Sequence, residues 1–172
     1  MRKTKVIAFA NNKGGSGKTT TCSNIACAMA TDGKRVLMID GDMQLNLTIS
    51  YFDEERALAY AKNGKNICEA VKEGKDLSAF IVSTEFEGLD MVPSSPSMSG
   101  IEFELFSKPK RDFVLSECLK PVSEKGIYDY ILIDAPPMLG CWVTNVLCAS
   151  DFVVIPVEAS PWGLFGLANM FE

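Results

Sequence analysis

Five short apolar runs punctuate the chain: Val6-Ile7-Ala8-Phe9, Val36-Leu37-Met38-Ile39, Leu89-Asp90-Met91-Val92, Tyr130-Ile131-Leu132-Ile133 and Phe152-Val153-Val154-Ile155. Most are apolar throughout instead of alternating, which predicts strands buried on both faces, the habit of inner strands in a parallel sheet. Amphipathic stretches separate them, so helices are expected to cover both sides of that sheet. Between the first two runs Cys22, Ile25, Ala26 and Met29 recur at helical spacing, and Gly33 follows as a stop. Further helices are predicted around 66–72, 101–106, 110–120 and 142–148, with a short edge strand over 80–83. The serine- and proline-rich segment 93–100 reads as loop.

The pattern therefore predicts one doubly wound, mainly parallel α/β domain over 1–172, with helices on both faces of the sheet. At 172 residues a single core can bury roughly 70% of the surface the unfolded chain exposes, so neither disulfides nor a structural metal is required. The last ten residues, with Leu164, Leu167 and Phe171 on one face and no stop signal, read as the opening turns of a helix. A chain truncated ahead of its C-terminal strands and helices is the expectation.

Composition narrows the chemistry. The 17 basic and 22 acidic side chains leave a net charge of −5, which speaks against coating nucleic acid or an anionic membrane by bulk charge. No apolar run approaches the roughly 20 residues a membrane span needs, and Met1 to Lys5 lead into a run too short for a secretion signal. A cytoplasmic location and no membrane partner are expected. The six cysteines form no C-x-x-C pair and histidine is absent; this argues against a Cys/His zinc site and excludes Ser-His-Asp and Cys-His catalysis. Reduced cysteines serving as small core hydrophobes are the plain reading.

The informative segment follows the first strand directly: Asn12-Lys13-Gly14-Gly15-Ser16-Gly17-Lys18-Thr19-Thr20, opening into the first helix. A glycine-rich strand-to-helix loop ending in Gly-Lys-Thr is a phosphate-binding loop in its required context, although Asn12 replaces the first glycine of the strict pattern. Gly14, Gly15 and Gly17 let the backbone approach a polyphosphate and aim N–H groups at it. Ser16 and Thr20 complete the cradle. The helix dipole adds to the anion site, Lys18 can reach the β- and γ-phosphates, and the Thr19 hydroxyl can ligate Mg²⁺. Two acidic sites stand just past strand ends, Asp40-Gly41-Asp42 and Asp134-Ala135-Pro136-Pro137. Asp134 has the placement of a Walker B carboxylate, which holds Mg²⁺ directly or through its water shell.

On these residues the chain resembles the ParA/MinD family of deviant Walker A P-loop ATPases, within it the ParA-like partition proteins. The carrying segments are Lys13-Gly14-Gly15-Ser16-Gly17-Lys18-Thr19-Thr20-Thr21, Val36 to Gln44, Tyr128 to Pro137, and Ile155-Pro156-Val157-Glu158. The resemblance implies an ATPase acting in plasmid or chromosome partition, with ATP and Mg²⁺ as ligands and a homodimer sandwiching two ATP molecules. Lys13 would then cross to the phosphates of the opposite subunit, Asp42 would position the attacking water, and Asp40 would help organise the magnesium site. It further implies that the full-length relative binds non-specific DNA and a DNA-binding activator protein, with much of the adenine pocket and of the basic surface used on DNA lying beyond residue 172. Met43 departs from the family, which usually has proline there.

Three neighbouring readings share this sequence pattern. A MinD-like positioning switch would add a basic amphipathic C-terminal helix, and a cobyrinate diamide synthase-like ligase would pass through a phosphorylated carboxylate. An iron–sulfur reductase of the nitrogenase iron-protein type could use Cys141, but 92–106 offers no second cysteine, and two ligands per dimer cannot replace four. The basic cluster Lys108-Pro109-Lys110-Arg111 reads as a solvated helix start.

Overall fold

The computed structural model describes residues 4–159. Its centre is a six-stranded sheet built from β1 (Lys5–Phe9), β2 (Val36–Asp40), β3 (Val82–Ser83), β4 (Leu89–Val92), β5 (Tyr130–Asp134) and β6 (Phe152–Val154), in the order β3-β4-β2-β5-β1-β6. All pairings are parallel except β3 with β4. Among the described residues seven α-helices accompany it: α1 (Lys18–Thr31), α2 (Asn46–Ile49), α3 (Glu54–Lys62), α4 (Ile67–Glu73), α5 (Ile101–Phe106), α6 (Val114–Lys125) and α7 (Cys141–Cys148).

The runs without alternation, the last one apart, become strands buried on both faces, as expected. On one face Leu37, Ile39, Val92, Ile131 and Ile133 pack with residues of α4 to α7, while Val36, Met38, Met91 and Leu132 meet Cys22 and Ala26 of α1 and Leu47 of α2 on the other. Fully burying an aliphatic side chain is worth about 1.5–3 kcal/mol, so period-2 placement of wholly apolar runs fixes the register strongly.

Four local outcomes differ from the sequence reading. Among the described residues β6 stands at the sheet edge: it pairs there only with β1, and Phe152 and Val153 are 55% and 43% exposed. Residue 80 ends a 3₁₀ turn over Leu77–Phe80, leaving only Val82–Ser83 as the short edge strand. α6 runs past Pro121 to Lys125; burial of Leu115, Cys118, Leu119 and Val122 on one stripe offsets the roughly 3 kcal/mol a helix-interior proline costs. α2 and α3 gave no periodic signal; α3 instead starts on an Asp53 cap that accepts from the Arg56 N–H at 2.8 Å.

The segment 93–100 is partly a 3₁₀ turn over Pro96–Gly100. Cys22, Cys68 and Cys118 are buried, Cys148 is exposed, and all six cysteines are free. In the basic cluster, Lys108 donates to the Lys72 carbonyl and Arg111 lies over the Phe106 ring. No helix among the described residues is long and apolar enough to cross a membrane. The helix expected over 163–172 lies outside the described residues.

Candidate functional site: the phosphate loop and its acidic neighbours

Register decides which loops meet. Asp40, the last residue of β2, pairs with Asp134, the last residue of β5, and Phe9 at the end of β1 pairs with the same Asp134. Three loops therefore leave the carboxyl edge side by side, where open α/β sheets bind ligands. A cleft of about 560 Å³ there is lined by Gly14, Gly17, Lys18, Thr19, Asp42 and Pro137, among others. Clefts of about 500 and 760 Å³ elsewhere gather no comparable set.

The loop turns into α1 at Gly17, whose φ of +87° lies in the left-handed region that a side chain would strain. No side chain caps α1 and its first turn carries no acidic residue, so its leading N–H groups and the positive end of its dipole face the cleft. The Ser16 hydroxyl is buried without a hydrogen-bond partner. Lys18 is buried, and its ammonium donates to the Lys13 carbonyl at 3.2 Å. Burial lowers its pKa, against the opposing pull of Asp134 and Asp42. Lys13 itself pairs with Glu158, both side chains being solvent-accessible, while its N–H donates to Asn11 Oδ1 at 2.9 Å. Asn11 donates in turn to the Pro156 carbonyl at 2.8 Å. The first and last of the quoted segments are thus in contact.

The three aspartates differ sharply. Asp40 spends both oxygens on its own loop: Oδ1 accepts from the Asp42 N–H at 3.1 Å, and Oδ2 accepts from the Thr48 N–H at 2.8 Å and the Thr48 hydroxyl at 2.7 Å. Burial raises it to about 6, with the Thr48 bonds opposing. Asp42 is 8% exposed, accepts from the Gln44 N–H at 3.0 Å through Oδ1, and lines the cleft. Asp134 is 1% exposed, and neither of its oxygens has a hydrogen-bond partner. Burial pushes it up to about 7. The Thr19 hydroxyl opposes this from beyond hydrogen-bonding geometry, Asp40 and Asp42 add to it, and Lys18 works against it. A buried carboxylate without partners is costly. With Thr19 beside it, it forms an oxygen donor pair of the kind Mg²⁺ takes alongside water and phosphate. The residues fit that ion. Among the described residues no cluster of three or more His, Cys, Asp or Glu could hold a metal by itself.

Sequence reasoning placed Lys13, Gly14, Gly15, Ser16, Gly17, Lys18, Thr19, Thr20, Asp40, Asp42 and Asp134 along these three loops. It missed Thr48, whose hydroxyl both serves Asp40 and accepts from the Ser94 N–H at 3.0 Å. It missed Leu45 too, a non-glycine residue at φ +58° that turns the chain into α2. Nothing in the local pattern marks either. Cys141 rests its thiol against Arg111 and Asp112, in no cluster with other thiols.

A glycine-rich loop feeding an uncapped helix, beside two strand-end carboxylates, defines a P-loop nucleotide-binding α/β domain. A family model described as an AAA domain matches residues 4–172. The sporulation initiation inhibitor protein Soj of Bacillus subtilis is 38% identical over 168 residues, 98% of this chain and 64% of Soj. A crystallised plasmid partition protein from Borrelia burgdorferi, 32% identical, superposes with a TM-score of 0.83 over 98% of this chain and 72% of its own. Cobyrinic acid a,c-diamide synthase from Mycobacterium smegmatis, crystallised with ADP and magnesium, is 30% identical with a TM-score of 0.86 over 98% of this chain and 65% of its own. The chain belongs to the ParA/MinD family of deviant Walker A P-loop ATPases, on its ParA-like partition side. It spans somewhat under two thirds of the length of Soj.

Proposed function

We propose that this chain is the Mg-ATP-binding part of a ParA-like switch that hydrolyses ATP to ADP and phosphate and dimerises on ATP in DNA partition. The observation that carries the reading is the cleft lined by both the phosphate loop and Asp42, with the orphaned Asp134 in register beside it at the end of β5. ADP and magnesium bound to the Mycobacterium relative support the ligand assignment.

The N–H groups of residues 14–20 and the α1 dipole cradle the β- and γ-phosphates, and Lys18 leaves the Lys13 carbonyl to bind their oxygens. Thr19 and Asp134 hold Mg²⁺, with Asp40 fixing the loop beside them; when bound, the ion neutralises phosphate charge. Asp42 accepts a hydrogen bond from a water and turns its oxygen toward the γ-phosphorus. The water oxygen bonds to phosphorus while the bond to the β–γ bridging oxygen breaks, its electron pair leaving on ADP and the water proton passing to phosphate or solvent. Lysines facing that bridging oxygen stabilise the charge. Lys13, released from its exposed pair with Glu158, supplies one of them from the opposite subunit. Such exposed pairs are worth about 0–1 kcal/mol, so release is inexpensive. Non-specific DNA and a DNA-binding activator are the partners of the whole protein, in the cytoplasm.

The test is Mg-ATP binding and phosphate release by this chain. Lys18→Ala is expected to abolish binding, whereas Asp42→Ala keeps binding and loses hydrolysis. Light scattering on Asp42→Ala should reveal an ATP-dependent dimer. Unaltered turnover in Asp42→Ala would overturn the assignment. The likeness to the Mycobacterium synthase supports a second reading, a ligase nucleotide domain, which a trapped acyl-phosphate would favour.

A further inference from the structure

In the loop between Asp40 and Asp42, Gly41 carries the bonds that reach across to β5 and α7. Gly41 donates its N–H to the Asp134 carbonyl at 2.9 Å, and its own carbonyl accepts the indole N–H of Trp142 at 3.0 Å. Trp142, in the first turn of α7, is 1% exposed. The fit leaves no space for a side chain at 41: a Cβ there would stand 2.8 Å from the Asp134 oxygen and 3.1 Å from the indole nitrogen.

Packing alone does not hold the loop in that place. Against it lies a cavity of about 170 Å³, walled by Met43, Met98, Ile101, Pro136, Met138 and Trp142. Methionine walls are adaptable, and a void forfeits the contacts that would pin the backbone. Besides the bonds within the loop and the one to the Asp134 carbonyl, the directional hydrogen bond from the indole holds it on the α7 side. Its donor is itself fixed: the Glu102 carboxylate accepts from the backbone N–H groups of Cys141 at 2.8 Å and Trp142 at 3.1 Å. A carboxylate on the first turn of a helix is favourably placed against its dipole.

We infer that Trp142 is a positioning residue for ATP hydrolysis: its indole N–H holds the Gly41 carbonyl and so sets the Asp42 carboxylate relative to Asp134 and the phosphate loop. The inference rests on the role proposed for Asp42 and extends it to a residue 100 positions away that does not line the phosphate cleft. It ties the two acidic loops into one body, through Asp134 to Gly41 and Gly41 to Trp142.

The test is Trp142→Phe in the full chain, which keeps an aromatic ring in the core and removes the N–H. The expected result is a kcat lowered about tenfold, about 1.4 kcal/mol in the barrier, with the Kd for Mg-ATP within about twofold of the parent. In an Asp42→Ala background Trp142→Phe should change the residual rate no further. Glu102→Gln, which loosens the cap while leaving the indole in place, should lower kcat about threefold on the same split, and it carries the test if Trp142→Phe does not fold. An active parent with unchanged kcat in the folded variants overturns the inference alone, as does weakened nucleotide binding that accounts for the whole loss. A parent that binds Mg-ATP without turning it over overturns the ATPase reading, and the inference with it.

Discussion

Asp134 stores a pH dependence that can be read without any nucleotide. Its carboxyl is buried, has no hydrogen-bond partner, and is raised from 3.8 to about 7. Below pH 4 the group is protonated in folded and unfolded chain alike and costs nothing. Between pH 4 and 7 the unfolded chain ionises while the folded chain keeps its proton, so the folded state binds more protons and stability falls as pH rises. Above pH 7 both are ionised and the cost stays. At 1.36 kcal/mol per pH unit the full cost is about 4 kcal/mol, a large share of the 5–15 kcal/mol typical of a domain. Asp134→Asn, nearly the same shape without the charge, should therefore leave the metal-free chain about as stable as the parent at pH 4.5 and up to about 4 kcal/mol more stable at pH 8. Urea unfolding in EDTA at half-unit steps from pH 4.5 to 8 measures this. A shallower slope should persist in the variant, because Asp40, raised to about 6 by burial, acts with the same sign. Adding Mg-ATP should stabilise the parent at pH 8 and not the variant. A parent whose stability is flat or rising over that range, or an Asp134→Asn chain less stable than the parent at pH 8, would refute the reasoning.

Thr48→Val removes the hydroxyl that Asp40 and the Ser94 N–H both use; it is expected to cost about 3 kcal/mol at pH 8 and less at pH 5, where Asp40 holds its proton, as read by the same unfolding series. Lys13→Ala should change stability by less than about 1 kcal/mol, its partner pair being exposed, yet abolish the ATP-dependent dimer that light scattering detects in Asp42→Ala. Asp53→Ala should lower unfolding free energy by about 1 kcal/mol through loss of the α3 cap, leaving nucleotide binding untouched.

The parallel sheet was legible because its strands carry redundant information. In β2 and β5 every central position is apolar and buried, so a run of four or five residues could hardly serve elsewhere. The same logic fails at β6, equally apolar in sequence but flanked on one side only among the described residues; composition alone does not say which neighbours a strand has. α3 was invisible for the opposite reason. It buries only Ala57, so its helical period carries little signal, and its start depends on a cap instead of a stripe.

The site divides along the same line. Lys18, Thr19, Asp42 and Asp134 stand in loops or at the element ends that border them, where the chemistry is local: glycines, an ammonium, a hydroxyl and a strand-end carboxylate near one helix start. What ties the loops together is not local. Asp40 and Asp134 become neighbours only through the β2–β5 register, Thr48 reaches back eight residues through a turn strained at Leu45, and Trp142 meets Gly41 across 101 positions. In the bare sequence Trp142 is one more apolar residue on the buried stripe of a helix, and its N–H has no visible use. A buried indole needs an acceptor, and the fold supplies one in the loop that carries Asp42. The groups that would meet phosphate could therefore be named from sequence, whereas those that set their distances could be named only from the folded chain.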